Sequence, residues 1–207
     1  MSRPAAPLTR AQLQAALVER ADMPSGWTVQ EQPDLLTDSS ASPGDSAQRN
    51  TKPAACGGIA ELLKPAGSSI PAKAAVGIVA SAAPPGGNRV ASILGITVTS
   101  FAPGDAERLL SRAMALVPGC ARFEAHDERR TFRAEVAEVD APKLGDQAVA
   151  ITQTTRYGEQ EFVHSVVVVR SGTTLIQATY VNLNDATPVM PDTALLTKQV
   201  ERIRTAR

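Results

Sequence analysis

Aromatic side chains are scarce in this chain: phenylalanine, tyrosine and tryptophan together make up 3% of it, and Trp27 is the sole tryptophan. A core without aromatic anchors must gather its apolar burial from many Ala, Val, Leu and Ile side chains, which favours broad sheet area. Histidine is rarer still, so His126 and His164 are the whole supply of imidazole bases for a catalytic triad. Excess charge is also lacking. Lys plus Arg and Asp plus Glu both number 21, which removes any global attraction to nucleic acid or anionic lipid, and no nucleic-acid partner is expected. No apolar run approaches the roughly 18 residues that a membrane-spanning helix needs. Met1 to Pro7 has no apolar centre of the kind a signal peptide carries. It reads as an N-terminal tether, with a signal or lipid anchor expected upstream.

Cysteine is limited to Cys56 and Cys120. A lone pair in a chain poor in reactive-site motifs is economical as one disulfide, which points to an oxidising, extracytoplasmic compartment; two free buried thiols are the alternative. Bonded, the pair would stabilise the fold by roughly 4 kcal/mol on the chain-entropy model. Neither histidine stands at metal-ligand spacing from a cysteine, so no metal site and no cofactor are expected.

What is present fits a folded protein. Hydrophobic residues at 43% and charged residues at 20% are near the globular average, and 207 residues suit one domain over 8–207. Residues 9–21 carry Leu13, Ala16, Leu17 and Ala21 at helical spacing, opened by a Thr9/Gln12 capping box and closed by Met23-Pro24-Ser25-Gly26. Trp27, beside that end, is expected to pack as a core anchor. From 37 to 52 the composition turns to Ser, Asp, Pro, Gly and Asn with almost no apolar residue, which predicts a mobile loop. Ile59, Leu62 and Leu63 then space as a short helix that Cys56 opens.

Strand character follows over 74–82 and 89–101, with Pro84-Pro85-Gly86-Gly87 as a hairpin turn between them. In the second run Leu94, Ile96 and Val98 alternate with Gly95, Thr97 and Thr99, the half-buried pattern of an antiparallel strand. Gly104-Asp105 starts a helix that Pro118-Gly119 ends, directly before Cys120. Residues 121–139 suit two strands turning near His126-Asp127-Glu128, and Gly145-Asp146 introduces another around Val149 and Ile151. The run 163–169 is apolar on both faces apart from His164 and Ser165 and is expected to be a central strand. Ser171-Gly172 turns it into the next strand, making a meander, and a last helix begins near Asp192. The order predicts an α+β fold, a twisted antiparallel sheet packed with helices.

This layout resembles a known family. An early leucine-bearing helix leads to Met-Pro-Ser-Gly-Trp, Cys56 opens a short helix, and a strand ends in Phe101. An Ala-rich helix ends at Cys120, then Gly-Asp-Gln-Ala-Val-Ala-Ile leads to Val-Val-Val-Val-Arg-Ser-Gly. In these features, over most of 8–207, the chain resembles the extracellular sensor domain of actinobacterial transmembrane serine/threonine kinases and the free-standing secreted lipoproteins that share it. The resemblance implies a Cys56–Cys120 disulfide and a twisted antiparallel sheet with a cleft. Kinase-linked members usually carry a second cysteine pair and a Trp before the helix-closing cysteine, whereas this chain reads Ala-Leu-Val-Pro-Gly-Cys there and names no ligand by likeness.

Motifs for chemistry are wanting. Gly67-Ser68-Ser69 and Arg170-Ser171-Gly172 lack the strand–Gly-x-Ser-x-Gly–helix context of a nucleophile elbow, and no Gly-rich pair continues into a phosphate loop. His126 sits in a charged turn and reads as solvated surface; His164 reads as a structural histidine that breaks an apolar strand. Arg129, Arg130 and Arg133 are interleaved with Glu124, Asp127, Glu128, Glu135 and Glu138, which predicts cross-strand pairs on a wet face. The expectation is therefore a non-catalytic, extracytoplasmic ligand-binding or sensor-like lipoprotein domain whose partner is a small molecule or a protein. The alternative is an interaction module that docks a partner on an exposed sheet face. Leu94, Ile96, Val98, Phe132 and Val136 are expected beneath the helices. Thr97, Thr99, Arg133 and His164 or Ser165 are expected on the opposite face.

Overall fold

The computed structural model describes residues 6–32, 34–36, 51–63, 65–84, 89–126 and 131–206. Helix α1 (Arg10–Ala16) starts at the expected capping box: Thr9 Oγ1 accepts from the Gln12 amide at 3.3 Å and Gln12 Oε1 accepts from the Thr9 amide at 2.9 Å. It was expected to run to Ala21 but ends at Ala16, because a distant side chain satisfies the backbone there. Gln199 accepts from the Val18 amide at 2.9 Å and donates to the Ala16 carbonyl at 2.8 Å. A 3₁₀ turn at Arg20–Asp22 then leads into β1 (Trp27–Gln32).

The remaining elements are β2 (Thr51–Lys52), α2 (Gly57–Leu63), β3 (Ala74–Ala82), β4 (Ser92–Ser100), α3 (Asp105–Leu116), β5 (Arg122–His126) and β6 (Thr131–Val139). The long strands β7 (Gln147–Tyr157), β8 (Gln160–Ser171) and β9 (Thr174–Asn182) follow, then α4 (Thr193–Thr205). The described strands form one sheet in the order β1-β3-β4-β9-β8-β7-β6-β5-β2, antiparallel at every pairing. This is the α+β architecture expected. The strand apolar on both faces, β8, lies fifth of nine, and both its faces are covered over Val166–Val169. Of the stretch 37–52, residues 37–50 lie outside the described residues, while Thr51–Lys52 pair with β5 as an edge strand. The first five residues of the tether, the turn at 85–88, and Asp127, Glu128, Arg129 and Arg130 also lie outside.

Successive residues of a strand point to opposite faces, and here each face has its own core. One core joins α1 and α4 to Val76, Ile78, Ile96, Val98, Val167, Val169 and Ile176. The other joins α2 and α3 to Val136, Ile151, Val166, Val168 and Leu175. Val167 and Val166 are neighbours in β8 yet belong to different cores, so the helix pairs sit on opposite sides of the sheet. The expectation that Leu94, Ile96, Val98, Phe132 and Val136 share one covered face is therefore corrected: the first three lie under α1 and α4, and Val136, with Phe132 beside it, lies under α2 and α3.

Cys56 and Cys120 form a disulfide with Cα atoms 5.4 Å apart. It ties the 3₁₀ turn Ala54–Cys56 before α2 to the 3₁₀ turn Pro118–Cys120 after α3. Glu61, almost wholly buried on α2, pairs with Arg112 of α3, and Ser69 donates to the same carboxylate. Among the described residues no helix is long and apolar enough to cross a membrane.

Candidate functional site

Since the two helix pairs cover opposite faces over different halves of the sheet, each half keeps one bare side. Over β9, β4, β3 and β1 the side that α2 and α3 leave carries no helix among the described residues, with Leu35 packed over Gly77 at its edge. Cross-strand register builds it in rows. One row runs Gln153, His164, Val181, Ile93, Ser81 and Thr28; the next runs Val166, Thr179, Gly95, Val79 and Gln30. Thr97 lies between Gln177 and Gly77 in the row after. No Asp, Glu, Lys or Arg stands at any of these positions. The surface is open in its middle: a Cβ placed on Gly95 would meet no atom within 4 Å.

Glutamines mark the border between this strip and the helix-covered half. Gln177 donates to the Leu63 carbonyl at the end of α2 at 2.7 Å and to Thr179 Oγ1 at 3.0 Å. Gln153 is nine-tenths buried and donates to Thr155 Oγ1 at 3.1 Å, yet its side-chain oxygen is buried with no partner among the described residues. Next to it across the strands, the imidazole of half-buried His164 makes no hydrogen bond among the described residues. Burial pushes its imidazole below the usual histidine range, so at neutral pH it presents one N–H donor and one nitrogen acceptor. Thr28 and Ser81 hydroxyls pair with each other at 2.9 Å at the outer end.

The other bare half-face, over β5, β6 and β7, has the opposite chemistry. Arg133 lies 3.5 Å from Glu124 and Arg122 lies 3.7 Å from Glu135; Arg156 binds Glu135 at 2.7 Å and Glu161 at 2.5 Å. Hydrogen bonding to Arg156 holds the Glu135 carboxyl below its usual range. Lys52, Arg122, Glu124, Arg133 and Glu135 line a shallow hollow of about 350 Å³ there. Of the interleaved charges, Arg133, Glu124 and Glu135 form cross-strand pairs on this wet face, whereas Glu138 lies on the opposite face of β6, and residues 127–130 lie outside the described residues.

The structure thus separates residues expected together. Thr97 and His164 stand on the neutral strip and Thr99 is fully buried, whereas Arg133 stands on the charged face. Ser165 is buried on the side of α1 and α4. His126 ends β5 on the charged side, beside Thr131 Oγ1 at 2.8 Å, and shares no site with His164. Trp27 is half-buried against the first core with its ring 6.3 Å from that of Tyr180, which is the anchoring expected of it. Gln177, a polar residue set between Ile176 and Ala178, carries a readable signal in the sequence, whereas Gln153, flanked by Thr152 and Thr154, carries none. Among the described residues no cluster of three His, Cys, Asp or Glu side chains is placed to hold a metal ion.

An antiparallel nine-stranded sheet, with a helix pair on each face and a disulfide pinning one pair, defines the fold class. That fold is shared by the extracellular domain of PknH from Mycobacterium tuberculosis, with a TM-score of 0.65 and 14% identity over 97% of this chain and 98% of that one. A putative uncharacterized protein from Mycobacterium smegmatis, an Rv0999 ortholog, aligns at a TM-score of 0.48 and 15% identity over 94% of this chain and 96% of that one. No protein-family model and no curated protein sequence matches the chain.

Proposed function

We propose that residues 8–207 form an extracytoplasmic, non-catalytic ligand-binding or sensor-like module of the lipoprotein kind. The observation that carries this reading is the neutral strip around Gln153 and His164, a partly sheltered surface with hydrogen-bonding capacity that the protein itself leaves unspent. Buried polar groups in native proteins are nearly always satisfied, so a buried amide oxygen without a partner among the described residues, beside an open strip, is a reason to look for a missing one. The fold shared with a kinase extracellular domain and the disulfide both favour the extracytoplasmic side. The lack of any grouped nucleophile, base and acid among the described residues argues for binding over catalysis.

A second reading, docking of a protein on a sheet face, is favoured by the charged half-face and its hollow. Native mass spectrometry of protein purified from its own host separates the two. A co-purifying molecule of discrete mass, released on denaturation, is expected. Only the bare chain mass, together with a captured protein partner, would replace ligand binding by docking.

A further inference from the structure

We infer that the strip takes an uncharged, hydroxyl-bearing ligand such as a saccharide, with the side-chain amide of Gln153 and the imidazole of His164 as its anchoring hydrogen-bond partners. This rests on the reading of the strip as the ligand site and names the ligand's chemistry. Charge decides the first part. An ion brought onto this face would lose solvation with no counter-charge to meet it, since every position in the three rows is neutral. Chain-wide balance of charge leaves no long-range field to compensate.

The amide decides the second part. One end of Gln153 is engaged by Thr155, and the other is buried and without a partner among the described residues. Oxygen and nitrogen of a glutamine side chain are assigned by their hydrogen bonds, so the free end is an acceptor as placed and a donor if the amide is turned over. A hydroxyl suits either, because it both donates and accepts. The neutral imidazole directly across the strands from Gln153 makes the same dual demand. Thr179 and Thr97 add hydroxyls further along, while Ile93, Val79 and Val181 give the C–H faces of a saccharide an apolar floor with open space above Gly95.

The test is an amide-shift titration of the disulfide-bonded chain with trehalose and maltotriose, and in parallel with gluconate and inorganic phosphate. Saturable shifts confined to the amides around Gln153, His164, Thr179 and Gly95 are expected from a neutral saccharide, with little from the anions. Gln153→Leu and His164→Leu should each weaken that binding tenfold or more. Gln153→Leu should also hold or raise the melting temperature, since it removes an unsatisfied buried amide, and a purely structural glutamine would behave in the opposite way. Anion binding as strong as saccharide binding, wild-type affinity in both variants, or no response to either saccharide overturns the ligand class. If the molecule released in native mass spectrometry then shifts the same amides, the site stands and only the class falls. If it shifts none of them, the site falls as well.

Discussion

Replacing Cys56 and Cys120 together by alanine removes the covalent tie between the start of α2 and the end of α3. The bond joins residues 64 apart in sequence, and constraining a loop of that length removes denatured-state entropy equivalent to about 4 kcal/mol at 25 °C. In a chain of this size each kcal/mol moves the melting temperature by roughly 2–4 °C, so the loss should read as a fall of about 10 °C. Both sulfurs are also buried against the second core, at 1% and 3% exposure, and alanine leaves space there that costs about 1 kcal/mol more. Dithiothreitol-reduced wild type keeps the thiol volume and isolates the entropic part. Urea unfolding followed by Trp27 fluorescence should therefore rank oxidised protein above reduced, and reduced above the double alanine variant. Trp27 reports on the first core, so a simultaneous transition by circular dichroism would mean that β8 and β9 couple the two cores into one cooperative unit. A difference below about 1 kcal/mol between oxidised and reduced protein would refute the loop-entropy reasoning.

Other perturbations probe the joints. Gln199→Leu should cost about 3 kcal/mol in denaturant unfolding, because the Val18 amide and the Ala16 carbonyl each lose a buried partner. Asp22 is desolvated, yet hydrogen bonds from the Glu19 amide and Lys198 and the charge of Arg202 outweigh this and hold its carboxyl below 3.8. Its contribution is present above the unfolded value and lost as pH falls through the folded one, so Asp22→Asn should flatten acid unfolding profiles below about pH 4. For His164 burial lowers the folded value below 6.5, so the unfolded chain takes the proton first and stability falls as pH drops below 6.5. His164→Gln should abolish that component, and an NMR titration should place the wild-type midpoint below 6.5.

Local pattern carried much of this fold. The Thr9 capping box, the alternation of β4, the central place of β8 and the meander into β9 are all written in short stretches, because period and turn chemistry act within a few residues. Other features depend on distant partners. Helix α1 stops at Ala16 because of a glutamine on α4, which nothing in residues 9–21 announces. The assignment of faces failed for the same reason: alternation gives each strand two sides but does not say which side of β4 matches which side of β6. Four pairings separate them, and their combined register puts Thr97 and Arg133 on opposite surfaces. The site was legible only at Thr97 and His164, and its border glutamines become meaningful once the helices show which half of each face they leave bare.

Whether the neutral strip holds a ligand is decided by a crystal structure of the protein purified from its native host, determined without added ligand at a resolution that shows ordered water. Density is expected for an uncharged molecule on the β9-β4-β3 strip, with a hydroxyl within about 3 Å of the free end of Gln153 and another near His164. A strip filled by water alone, or a molecule seated instead among Arg122, Arg133 and Glu135, would contradict that expectation.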